Sequence, residues 1–119
     1  MFQIAYEYPD QWPESGPLKI KAQLQGEIQI APTDARREAN HYITLYMGVL
    51  LGANDPVLVW GDTPKWRFTC YLHMPHLGRV ASVGTIDVDA SSGEVIPPPS
   101  KIIQQMQDQA RDLASRLSS

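Results

Sequence analysis

The sequence predicts an α+β domain: an antiparallel sheet of about five to six strands packed against a central helix, followed by a C-terminal helix. Three observations predict it. Apolar residues alternate with period two through most of the chain. That rhythm gives way once, near the middle, to helical spacing. It gives way again after the run Pro97-Pro98-Pro99.

Phe2, Ile4, Tyr6 and Tyr8 alternate with Gln3, Ala5 and Glu7, the period of a half-buried strand. Pro9 to Pro17 includes Pro13 and Gly16 and reads as a loop carrying Trp12. Leu18, Ile20, Ala22 and Leu24 restore the alternation, and Ile28 and Ile30 keep its parity beyond Gly26. A second strand over 18–30 is expected, bent or bulged at Gly26 and paired with the first. Ala35, Ala39, Tyr42, Ile43, Tyr46, Met47 and Leu50 then fall at helical spacings. They predict a helix over 33–51, with Pro32 in the first turn, Asp34 at the positive end of the dipole and Gly52 as the stop.

Asn54-Asp55-Pro56 reads as a turn, Val57–Trp60 as a strand and Gly61–Pro64 as a reversal. Trp66, Phe68, Cys70 and Leu72 alternate with Lys65, Arg67, Thr69, Tyr71 and His73, which makes a strand with one apolar face. A connection over 74–79 leads to a strand from Val80 to Asp89, and Ala90-Ser91-Ser92-Gly93 turns it into Glu94-Val95-Ile96. The three prolines are a stiff, extended separator. Beyond them Ile103, Met106, Ala110, Leu113 and Leu117 recur three or four residues apart, with Ser100 in place to cap the helix. The chain therefore divides into an α+β domain over 1–99 and an amphipathic helix over 100–119, docked on the domain or on a partner.

At 119 residues and 43% hydrophobic content the chain is sized for one ordinary core. A formal charge of −3, with basic residues scattered, gives no default nucleic-acid partner. Met1–Asp10 lacks the pattern of a signal peptide, and the apolar run Met47–Ala53 is far shorter than the roughly 20 residues a span needs. No membrane association and a cytoplasmic location are expected. A single cysteine, Cys70, permits no internal disulfide.

Several constellations have residue types that could carry chemistry. Cys70, His73 and His76 have C-x-x-H-x-x-H spacing, but strand alternation sends Cys70 and His73 to opposite faces, and no second Cys/His group completes a tetrahedral site. No metal ligand is assigned. Asp87 to Glu94 resembles an EF-hand loop in the wrong register, with Ser92 where glycine belongs and Pro98 where the bidentate glutamate belongs. The better reading is a hairpin in which Asp89 bonds nearby amides and Gly93 takes positive φ. Asp87 and Asp89 share a strand face, as a solvated face also would. No nucleophile elbow, phosphate loop or dinucleotide fingerprint occurs, so no catalytic residue and no cofactor are expected.

The stretch from Thr33 to Ile96, and within it Thr85-Ile86-Asp87-Val88-Asp89-Ala90-Ser91-Ser92-Gly93-Glu94-Val95-Ile96, resembles PepSY-like domains. Those modules set a helix against an antiparallel sheet and carry a V-D-A-x-T-G-E-V type hairpin. The resemblance implies a non-enzymatic domain that binds or inhibits another protein. PepSY proteins are mostly exported or membrane-attached, and residues 1–30 and 100–119 have no counterpart in them.

The expected function is binding or regulation through a protein partner or self-association, with Ile103, Met106, Ala110, Leu113 and Leu117 as the candidate interaction residues. Two alternatives accompany it. One is an antitoxin or immunity component whose last helix covers a toxin. The other is a small-molecule binder or minor enzyme with a helix–sheet pocket near Tyr42, Tyr46, Trp60 and Trp66.

Overall fold

The computed structural model describes residues 3–6, 15–17, 27–61 and 63–117. Phe2, Tyr8, Trp12 and most of the strand expected over 18–30 lie outside them. Of that strand, residues 27–30 are described and form no ladder, although the Gln29 N–H donates to the Ala90 carbonyl at 2.8 Å.

The described elements are β1 (Gln3–Tyr6), α1 (Pro32–Tyr46), β2 (Leu51–Trp60), β3 (Pro64–Met74), β4 (Gly78–Asp89), β5 (Val95–Ile96) and α2 (Ser100–Leu117). The five strands form one sheet in sequence order, so the fold is α+β with a central helix and a C-terminal helix. The sheet is mixed and not wholly antiparallel. β1 runs parallel to β2, with Gln3 beside Val57 and Tyr6 beside Trp60, while the remaining pairs are antiparallel. The physical reason is the connection. The chain between β1 and β2 includes α1, which is long enough for a parallel crossover, whereas each later pair is joined by a short hairpin.

Strand parity sets the layers. Trp66, Phe68, Cys70 and Leu72 of β3 face the helices and are buried, together with Leu58 of β2 and Ile86 and Val88 of β4. Ala35, Ala39 and Ile43 of α1 and Met106 and Ala110 of α2 complete the same core. The alanines bring α1 close to the sheet. α2 comes close at one point, where Gly84 leaves room for Met106; a Cβ there would lie 2.9 Å from the Met106 side chain.

Two sequence expectations are corrected in the middle of the chain. α1 ends at Tyr46, not 51, because the Met47 and Gly48 N–H groups both donate to the Ile43 carbonyl and the chain then turns. Leu51 already belongs to β2, opposite Leu72, so the apolar residues that looked like the last turn of a helix are split between a turn and a strand. Asn54-Asp55-Pro56 is a bulge inside β2 and not a turn between elements. The register steps from Asn54–Thr69 to Val57–Arg67, and Asp55 takes φ 58°, a left-handed conformation that aspartate tolerates better than most residues. Ser100 is the first residue of α2 itself; the Pro99 carbonyl accepts from the Ile102 and Ile103 N–H groups.

Candidate functional site

The early end of α1 creates the most distinctive surface among the described residues. Met47, Gly48, Val49, Leu50 and Leu51 leave the helix and enter β2 beside Leu72 and Met74 at the end of β3. α2 passes alongside and supplies Gln104, Gln107, Ala110, Arg111, Ala114 and Ser115 as the facing wall. Between them lies an open groove of about 710 Å³. Its floor is apolar, and its α2 lip is polar. The Gln107 side-chain amide donates to the Met47 carbonyl at 2.9 Å and holds the two walls together.

Apolar side chains are exposed here. In the wall of the groove Val49 is 82% exposed and Leu50 40%, and on the last turn of α1 Tyr46 is 62% and Leu45 59% exposed. No residue from Ala39 to Asn54 carries a carboxylate, an ammonium or a guanidinium. Contiguous exposed apolar surface of this kind marks interaction sites more often than scattered single residues do.

The residues singled out on α2 are divided by the fold. Met106 and Ala110 are buried in the core, and Ile103 and Leu113 are half-buried against it. Leu117 is exposed. The helix docks on its own domain through this seam, and it is the neighbouring stripe of Gln104, Gln107, Ala110, Arg111 and Ala114 that faces the groove. Tyr42 and Trp60 are half-buried against the core that holds Trp66, while Tyr46 is exposed. Trp66 is buried, with its indole N–H donating to the Ile30 carbonyl at 2.9 Å, and none of the four lines the groove.

The polar constellations have structural partners. Asp87 holds Arg67 through two hydrogen bonds of 2.8 and 2.9 Å. Asp89 Oδ1 accepts from the Ser91 N–H at 2.8 Å, the Ser91 hydroxyl at 2.6 Å and the Ser92 N–H at 3.2 Å. These bonds, that from the Ser91 hydroxyl foremost, hold its carboxyl below the ordinary aspartate range. Gly93 closes the same hairpin at φ 78°. On the sheet face away from the helices, the Tyr71 hydroxyl donates to Asp55, and the Arg79 guanidinium lies 4.0 Å above the Tyr71 ring and 3.3 Å from Asp55. The bond to Asp55 raises the Tyr71 pKa above its usual value, because it favours the protonated phenol.

Cys70 is fully buried opposite Gly84, under the helices, and burial pushes its thiol up to about 11. It is a protonated core residue at neutral pH and a poor nucleophile. His73 lies over Gly52, the partner of Tyr71, and His76 is exposed in the β3–β4 turn. Among the described residues no three His, Cys, Asp or Glu side chains are grouped to hold a metal ion. Among those residues, too, no helix is long and apolar enough to cross a membrane.

Two positions that matter here carried no sequence signal. Asn40 fell off the apolar stripe of α1, yet its side chain accepts from the Ala53 N–H at 2.8 Å and faces the Ala53 carbonyl at 3.5 Å. Gly84 sat mid-strand with no visible reason, and only the position of α2 explains it. Compared with known proteins, the chain matches no family model, no curated protein and no solved structure.

Proposed function

We propose that this protein is a non-enzymatic binding protein whose working surface is the groove between the turn after α1 and α2, and that it acts by docking another polypeptide there. The observation that carries the reading is the pair of exposed apolar side chains Val49 and Leu50 in the wall of the groove, beside an apolar floor and next in sequence to exposed Leu45 and Tyr46. Exposed side chains of this type gain free energy when a partner removes them from water, roughly 25 cal/mol for each Å² covered. The polar α2 lip supplies amides for orientation, in the manner of a protein interface with an apolar centre and a polar rim. The buried, protonated Cys70 and the carboxylates tied to Arg67 and the hairpin leave those groups in structural roles. The likeness of residues 33–96 to PepSY-like domains points the same way.

A groove of this size also falls in the range of small-molecule sites, and that is the competing reading. One experiment separates them. A photoreactive benzoylphenylalanine at position 49 is cross-linked in living cells, with the same residue at exposed Thr85 as the control. A discrete polypeptide adduct from position 49 and none from position 85 is the expected result. Absence of any polypeptide adduct, with a small molecule co-purifying in native mass spectrometry, would replace protein docking by ligand binding.

A further inference from the structure

We infer that the polypeptide bound in this groove presents an acidic side chain beside apolar ones, and that Arg111 on the α2 lip is the residue that recognises its carboxylate. The inference rests on the reading of the groove as a protein-docking surface and adds the chemistry of the partner segment.

Arg111 is the only charged side chain among the described residues that line the groove. The rest of the lining consists of apolar side chains, one glycine, one serine and the carboxamides Gln104 and Gln107. Gln104, Gln107, Arg111 and Ser115 follow one another at spacings of three and four, so they form one stripe of α2 along the lip. The opposite wall carries exposed Val49 and Leu50. A segment that suits both walls has apolar side chains for one and an anion for the other. An uncharged segment would cover the guanidinium and leave it unpaired, which is costly, and a basic one would repel it.

A comparison with Arg67 shows how much binding capacity Arg111 retains. Arg67 grips Asp87 with two nitrogens at 2.8 and 2.9 Å, the paired geometry in which guanidinium and carboxylate fit best. Arg111 meets Asp108 through one nitrogen at 3.4 Å, longer than an ordinary bond of this type, and the two side chains are 75% and 57% exposed. Exposed pairs of that kind contribute little. No other hydrogen bond engages Arg111 among the described residues. Asp108 has a second partner in the Gln104 amide at 2.9 Å, so Arg111 can turn to an incoming carboxylate without stranding it. The other acid of α2, Asp112, pairs with Arg116, and neither acid lines the groove.

The lip from Gln104 to Ser115 runs about 16 Å along the helix, the length of roughly five residues of extended chain. The formal charge of −3 on the whole chain does not oppose an acidic partner. At physiological salt, exposed charges more than roughly 8 Å apart are largely screened, so the groups beside the groove decide. A docked segment excludes water from the pair, the setting in which arginine carries much of the binding energy at interfaces.

The test is selection of phage-displayed random peptides on the immobilised full chain, run in parallel on Arg111→Glu and Val49→Glu. Both positions are exposed, so both variants should keep the parent's melting temperature. Peptides enriched on the parent should combine apolar residues with Asp or Glu. On Arg111→Glu the acidic residue should give way to Lys or Arg, and Val49→Glu should enrich neither set. In fluorescence polarisation the strongest selected peptide should bind Arg111→Gln roughly tenfold more weakly or worse. The same peptide with an amide in place of its acid should lose as much on the parent. Combining the two changes should cost little more than either alone, because they remove one interaction. Peptides that need Val49 but lack an acidic residue, or carry one and ignore Arg111, overturn this inference alone and keep the docking surface. Absence of any peptide that depends on Val49 removes both, as does a dansylated fatty acid that binds through Val49 and Arg111 where no peptide is enriched.

Discussion

Where β3 begins, polar groups close the sheet; where it ends, apolar side chains are left facing solvent. At the first end Trp66 donates to Ile30, the Ala90 N–H donates to Pro64, and Asp89 ties down the Ser91 and Ser92 amides. Each of these bonds is directional and made within the chain. At the other end Met47 to Leu51 and Met74 surround a groove bridged by the hydrogen bond from Gln107 to Met47. The difference teaches that folding this chain uses up the hydrogen-bonding capacity at one end and leaves unspent apolar surface at the other. Packing alone does not require that surface, because the core is complete beneath it.

The largest effect should come from the closed end. Trp66→Ala removes a buried ring and strands the Ile30 carbonyl, and should lower unfolding free energy by about 3–5 kcal/mol in urea titration. A loss below 1 kcal/mol would mean that this end is less closed than its bonds imply. Gly84→Ala comes next. Its Cβ has no room beside Met106, so α2 must shift, and a loss of about 1–3 kcal/mol is expected. The sharper readout is limited proteolysis, which should cut near 100–117 sooner in the variant than in the parent. Equal cutting rates would show that α2 does not depend on that close approach.

Asp89→Ala should cost about 1 kcal/mol through the lost hairpin bonds. Because its folded carboxyl titrates below the ordinary value near 4, its contribution is present above that value. It is lost as the pH falls through the folded pKa. Asp89→Asn should therefore flatten the acid limb of the stability curve, and an unchanged limb would reassign that limb to other carboxylates. The smallest effect belongs to the open end. Val49→Ser should change the stability of the isolated monomer by no more than about 0.5 kcal/mol, as exposed substitutions do. A larger loss in dilute chemical denaturation would place Val49 in the fold and not on a free surface.

The contrast also explains what the sequence made legible. β3, β4 and their alternation were readable because each has one apolar face and a neighbour in sequence to pair with. The Asp89–Gly93 hairpin was readable because its bonds span only a few residues. The parallel pairing of β1 was not, since its partner lies some fifty residues away and nothing in Gln3–Tyr6 names it. The end of α1 was hidden for another reason. Met47, Leu50 and Leu51 fit a helical stripe as well as they fit a turn and a strand, and the choice between them is made by Leu72 on the far side of the sheet. The groove follows from that choice, so it was illegible too. On α2 the seam itself was visible, but which part of it the domain would consume depended on Gly84.

The amide of Asn40 has one more consequence. α1 rests on the sheet through Ala35, Ala39 and Ile43, and over its first turns the two alanine methyl groups alone offer little to resist sliding along the helix axis. The side chain of Asn40 latches onto the backbone of Ala53 at a point that β1, ending its pairing at Val57, does not reach. A one-residue slip of the helix would carry that amide about 1.5 Å along and roughly a third of a turn away from its seat. The latch therefore acts as an index mark that sets where α1 stops, and with it how far the turn bearing Val49 reaches into solvent.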